Sequence, residues 1–129
     1  MSSGYLEHVN LTVSDPDRLS ALLQQLCGWH ERWRGRAQSG GWSIHVGAEQ
    51  VYIALYSNHQ AAGPYVKGAP LNHIGLAVDD LAAAERAVIA AGLEPFNHGD
   101  YEPGRRFYFF DWDHIEFEVV RYDPTIEQR

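Results

Sequence analysis

Two similar stretches of this chain each open on a histidine. Residues 8–15 read His-Val-Asn-Leu-Thr-Val-Ser-Asp and residues 73–80 read His-Ile-Gly-Leu-Ala-Val-Asp-Asp. Both alternate apolar and other residues with period two, the pattern of a half-buried strand. Val9, Leu11 and Val13 form the packing face of the first, and Ile74, Leu76 and Val78 repeat it. His8, Asn10 and Thr12 lie on the opposite face, as do His73, Gly75 and Ala77. A third stretch, Ile115 to Val120, alternates in the same way. Ile115, Phe117 and Val119 pack, while Glu116, Glu118 and Val120 share the other face. Two imidazoles and a carboxylate converging on one side make a three-point metal site that leaves positions open for water or substrate. His8, His73 and Glu118 are therefore the expected ligands of a divalent ion, and this donor set suits Fe, Mn, Ni, Co or Zn. The plain alternative is two strand histidines satisfied by hydrogen bonds.

These residues need strands and helices to hold them. Ser14 or Asp15 can cap a helix that has Pro16 in its first turn, where a missing N–H costs little. Leu19, Leu22, Leu23 and Leu26 follow helical spacing, and Gly28 supplies a stop. In the second half Asp79 or Asp80 caps, Leu81, Ala84, Val88 and Ala91 recur, and Gly92 stops. Each helix precedes three strand-like segments, at about 29–34, 41–46 and 51–56 and at about 93–97, 105–110 and 115–121. Gly47 to Gln50 and Asp111 to His114 are matching turns. Residues 57–71 read as a linker rich in Gly, Pro, Ala and Asn, and Asp123 to Arg129 as a loose tail. The chain is thus expected to be one α+β domain of two βαβββ units, about 4–57 and 72–122. Its curved mixed sheets would form an open barrel-like cavity, within one chain or across a dimer, with helices on the outer face.

Composition narrows the partners. The 129 residues fit one domain, and 45% are apolar, enough for a sizeable core. The net charge of −7, from 10 Lys+Arg against 17 Asp+Glu, disfavours a nucleic acid or an anionic membrane as partner. Cys27 is the single cysteine, so no intramolecular disulfide or thiolate metal site is expected, and a buried inert thiol is the reading. The sequence shows no signal peptide and no apolar run of about 18 residues, so a cytoplasmic protein is expected. Four Trp, seven Tyr and five Phe favour an apolar cavity as well as a core.

The opening His-x-x-Leu-x-Val-x-Asp of each half and the run from Phe107 to Glu118 resemble the vicinal oxygen chelate superfamily. That group includes glyoxalase I, bleomycin-resistance proteins, fosfomycin-resistance thiol transferases, methylmalonyl-CoA epimerase and extradiol dioxygenases. The resemblance covers roughly residues 5–121. The family's closing motif usually reads Asp-Pro-Asp-Gly; here Trp112 replaces the proline and His114 the glycine. The resemblance implies metal ligands from the opening strand of each unit and from the last strand, which by position are His8, His73 and Glu118. Glyoxalase I also takes a carboxylate from the closing strand of its first unit, where this chain has Ala54. That departure counts against true glyoxalase I chemistry. A His/His/Glu set looks more like extradiol dioxygenases and fosfomycin transferases. In both, a tyrosine precedes the Glu ligand at the place of Tyr108, which is the candidate catalytic partner of Glu118. A plain pocket-lining aromatic is an equal reading of Tyr108. Asn10 at a threonine position and His98 near a lysine position weaken the transferase reading. His98 and His59 are approximate candidates for the second histidines that a dioxygenase uses, and each reads more simply as a surface histidine.

The remaining residues carry less. Asn10, Trp42, Ile44, Tyr52, Ala54 and Tyr56 are expected to line the substrate pocket, which suits a ring or acyl group. His45 falls on the other register and is expected to be structural. Asp111 and Asp113 read as turn formers. Glu116 is expected as a solvated rim residue, with acid/base service as the alternative. Arg105 and Arg106 are expected to be a solvated pair that could attract an anionic substrate.

The resemblance implies, first, a glyoxalase-like metalloenzyme acting on a small molecule with adjacent oxygens. An Fe(II) extradiol dioxygenase comes second, and a metal-free drug-binding protein third. A homodimer is the expected assembly.

Overall fold

The computed structural model describes residues 3–38, 40–58 and 64–124; His59 and the end of the expected tail lie outside them. The chain divides into two compact units, Met1–Ala62 and Gly63–Arg129.

The first unit runs β1 (His8–Thr12), α1 (Pro16–Cys27), β2 (His30–Arg36), β3 (Trp42–Gly47) and β4 (Tyr52–Ser57). Its sheet has the order β1-β4-β3-β2, with β1 parallel to β4 and the remaining pairs antiparallel. Asp15 caps α1 by accepting from the Arg18 amide at 3.1 Å. Gly28 ends it at φ +66°, a conformation that favours glycine. Leu19, Leu22, Leu23 and Leu26 are buried, together with Leu11, Ile44, Val46, Ile53 and Leu55 of the sheet.

The second unit repeats the plan with β5 (Ile74–Ala77), α2 (Leu81–Ala90), β6 (Phe96–Tyr101), β7 (Gly104–Phe110) and β8 (Glu116–Tyr122), in the order β5-β8-β7-β6. Asp80 caps α2 through the Ala83 amide at 3.0 Å. Ala84 and Val88 pack with Leu76, Phe107, Phe109, Phe117 and Val119, all fully or nearly buried.

The expected strand at 93–97 lies later. Pro95 has no N–H to give to a ladder, so pairing starts at Phe96 and continues to Tyr101. A bulge between Phe96 and Gly99, with Asn97 at φ +55°, bends this edge strand. No helix among the described residues is long and apolar enough to cross a membrane.

The turn that launches β8 is tied by Asp111. Its Oδ1 accepts from the amides of Asp113 at 2.9 Å and Ile115 at 2.8 Å. The side chain is buried and, among the described residues, Oδ2 has no hydrogen-bond partner. Burial pushes the carboxyl up to about 6 against two amides that favour its charged form. The folded chain therefore holds this proton more tightly than the unfolded one. The associated stability is complete below the ordinary carboxylate value and is lost as pH rises through about 6. Asp111→Asn keeps the Oδ1 acceptor and removes the charge. It is expected to be about 2 kcal/mol more stable than wild type at pH 8 and equal to it near pH 4, measured by urea unfolding at both pH values.

Candidate functional site in the second unit

β8 is the spine of the site. Phe117 and Val119 alternate into the helix-covered core, so Glu116 and Glu118 project from the other face. Gly75 and Tyr108 flank Glu118 on the neighbouring strands, and His73 stands at the entry to β5. The structure accordingly brings together His73, Glu118 and Tyr108. His73 Nε2 lies 3.1 Å from Glu118 Oε1, and the Tyr108 ring meets His73 edge-on at 5.9 Å.

Each side chain is held by a second contact. Asn72 Oδ1 sits 2.8 Å from His73 Nδ1. When Nδ1 donates there, Nε2 and Glu118 Oε1 face each other as lone pairs unless a proton or a metal cation lies between them. That donor set fits a divalent cation. Among the described residues no group of three His, Cys, Asp or Glu side chains is assembled around one point.

Arg106 Nη1 donates to Glu118 Oε2 at 2.9 Å, with both side chains largely buried. The two carboxylate oxygens are thus divided, one toward Arg106 and one toward His73. Glu116, expected at a solvated rim, is buried at 4% exposure. Lys67 from the linker neutralises it, with Nζ 2.8 and 2.9 Å from its oxygens. Glu116 Oε2 also lies 3.7 Å from His73 Nδ1. Burial and the neighbouring Glu118 charge push the Tyr108 phenol up, so it keeps its proton and serves as a donor at neutral pH.

The first unit carries His8 on the open face of its sheet. Its Nδ1 lies 2.7 Å from Glu7 Oε1, and its ring stacks on Tyr52 at 4.8 Å. Tyr52 stacks in turn on His45 at 4.7 Å, and Trp33 contacts His45 at 5.0 Å. The strand register corrects the expected pocket. Asn10 pairs with Ala54, which pairs with His45; Tyr56 pairs with Ser43. His45 and Ser43 therefore share the face of His8, Asn10, Tyr52, Ala54 and Tyr56. Ile44, with no exposure, packs in the helix-covered core, and Trp42 alternates onto that same face. The hairpin pairs Gly47 with Tyr52, and this fixes which residues of β3 look outward. Polar Ser43 and His45 alternating with apolar Ile44 and Val46 is the sequence signal that marks this face. A concavity of about 550 Å3 there includes Asn10, Trp33, Ser43, His45 and Tyr56 in its lining. Burial, then His8 and Arg32, lower the His45 imidazole below its usual value, so it is neutral at neutral pH.

His98 does not join Glu118. It lies 3.1 Å from both oxygens of Glu85 on α2 and stacks on Phe107, on the opposite face of the sheet. Arg105 is exposed as expected, whereas Arg106 is largely covered. Cys27 is half-buried, and burial pushes its thiol up to about 12, which makes it inert.

No curated protein matches the chain at a significant level. Among solved structures, a glyoxylase/bleomycin resistance protein/dioxygenase domain from Frankia sp. EAN1pec is 23% identical with a TM-score of 0.80, over 95% of this chain and 94% of that one. A variant of the fosfomycin resistance protein FosX from Listeria monocytogenes, complexed with Mn(II) and 1S,2S-dihydroxypropylphosphonic acid, is 24% identical with a TM-score of 0.71, over 100% and 98%. FosX from Mesorhizobium loti is 22% identical with a TM-score of 0.70, over 100% and 98%. These likenesses establish the fold. The sequence profile described as Glyoxalase/Bleomycin resistance protein/Dioxygenase superfamily matches residues 7–109, which take in both βα openings, His8 and His73. With that match spanning most of the chain and both units built to the same plan, the protein belongs to the glyoxalase/bleomycin resistance protein/dioxygenase superfamily.

Proposed function

We propose that this protein is a divalent-metal-dependent enzyme of glyoxalase-like type, acting on a small molecule with two adjacent oxygens. His73 and Glu118 would hold the metal together with His8, contributed by the same chain or by a second copy in a homodimer. The supporting observation is the 3.1 Å approach of His73 Nε2 to Glu118 Oε1, with the other Glu118 oxygen committed to Arg106. When bound, a divalent ion supplies Lewis-acid polarisation of the chelated oxygens.

The chain's own residues account for the rest. Asn72 fixes the His73 ring, and Arg106 fixes the Glu118 carboxylate. Tyr108, kept as a phenol beside Glu118, donates a hydrogen bond to developing negative charge on substrate oxygen. Within the first unit, Trp33 and Tyr56 line a concavity that also holds the neutral His45.

A ring-cleaving dioxygenase is the second reading. Ala54 favours it, because a buried alanine stands where a fourth, carboxylate ligand would be needed for glyoxalase I chemistry.

The test is anaerobic reconstitution with Mn(II), Ni(II) or Fe(II), followed by 2-oxoaldehyde–thiol adducts and, with oxygen uptake, catechols. The proposal expects metal-dependent turnover that Tyr108→Phe lowers by about 10–100-fold in kcat with metal binding intact. Metal-independent binding of an aromatic drug, with no turnover of either set, contradicts it and favours a sequestering protein.

A further inference from the structure

Arg106 carries an unusual imbalance of hydrogen bonds. Its side chain is only 12% exposed, yet among the described residues just one nitrogen, Nη1, has a partner, the carboxylate of Glu118. Nε and Nη2 are buried and, among the described residues, have none. Those two nitrogens form the side-on edge of the guanidinium, two parallel N–H donors spaced to match the two oxygens of one carboxylate or phosphonate. Buried donors without acceptors are costly and rare in folded chains, and such a group commonly marks a place where a ligand or ordered water completes the structure.

An aromatic ring lies against this guanidinium. Tyr101 lies over the guanidinium at 4.6 Å, a contact that satisfies the face of the cation and leaves its edge unpaired. Tyr101 is itself 58% exposed at the sheet edge. It rests where Gly99 has no side chain; a Cβ there would meet the ring at 2.6 Å. A surface-exposed ring on one rotatable side chain can swing aside without disturbing the core.

We propose that the Nε/Nη2 edge of Arg106 receives one oxyanion group of the substrate, a carboxylate or a phosphonate, with Tyr101 as the movable ring that shelters it. This rests on the reading of the His73–Glu118 face as the catalytic one and adds the substrate class: a small acid whose anionic group docks on the Glu118 side of the site. Arg106 then does two jobs with separate nitrogens, holding Glu118 through Nη1 and the substrate through the opposite edge.

The test is calorimetric titration of acetate and of methylphosphonate into the metal-free full chain, as wild type, Arg106→Lys and Tyr101→Ala. Wild type is expected to bind one oxyanion saturably, and the preferred probe identifies carboxylate or phosphonate as the group. Arg106→Lys is expected to weaken it by about tenfold or more, because an ammonium gives a point charge and no parallel pair. Tyr101→Ala is expected to bind at least as tightly as wild type. Equal affinity in wild type and Arg106→Lys overturns the proposal. So does loss of binding in Tyr101→Ala, or no saturable binding in wild type, which would mean that water alone fills the edge. Mn(II) titration of His73→Ala and wild type, run separately, distinguishes failure of this inference from failure of the metal reading.

Discussion

Glu118→Ala is expected to lower stability and to weaken divalent-metal binding by at least about a hundredfold. The first effect arises because Arg106 keeps its charge. Its guanidinium is largely buried and has Glu118 Oε2 as its one hydrogen-bond partner among the described residues, at 2.9 Å. Removing the carboxylate leaves that cation uncompensated in a poorly solvated place. The second effect follows from the loss of the donor that faces His73 Nε2. Glu118→Gln separates the two. Its amide oxygen still accepts from Arg106, so the stability loss shrinks, while the neutral group remains a poor ligand. Urea unfolding and Mn(II) titration of both variants read the two effects independently.

Phe117→Ala is expected to cost about 3–5 kcal/mol, near the upper end for a single core truncation. Phe117 has no exposure and stacks on Phe109 at 5.2 Å and 12°. It pairs across the sheet with Ile74 and Phe109, between the two glutamates of β8. The cavity left by the ring therefore lies directly beneath the strand that aims Glu118. Reduced metal affinity should accompany the lowered urea midpoint, whereas Phe117→Leu should lose about 1 kcal/mol and keep the metal. Equal stability of Phe117→Ala and wild type would contradict the packing described.

The two-unit plan was legible because period-two alternation and helix punctuation are local signals. Asp15, Pro16 and Gly28 mark α1 at its two ends, and Asp80 and Gly92 do so for α2. The pairing of His73 with Glu118 was legible for the same reason: both oppose an apolar stripe that must be buried. What escaped depends on contacts between distant residues. The register of β3 is set by its hairpin, so a shift of one residue moved Ile44 and Trp42 to the core side and brought His45 out. Glu116 read as solvated because nothing in its own strand neutralises it; Lys67, far away in sequence, does. Arg106 read as a surface cation for lack of any local sign that Tyr101 and Glu118 enclose it. The start of β6, by contrast, was set by the visible Pro95.

The central claim is that His8, His73 and Glu118 hold one divalent ion. Electron paramagnetic resonance of Mn(II) added to the metal-free chain tests it most directly, since the free-ion signal falls as metal is taken up. The account predicts about one Mn(II) per chain for wild type and strongly weakened uptake for each of His8→Ala, His73→Ala and Glu118→Gln. Undiminished uptake by any one of these folded variants would remove that residue from the ligand set, and equal uptake by all three would contradict the account as a whole.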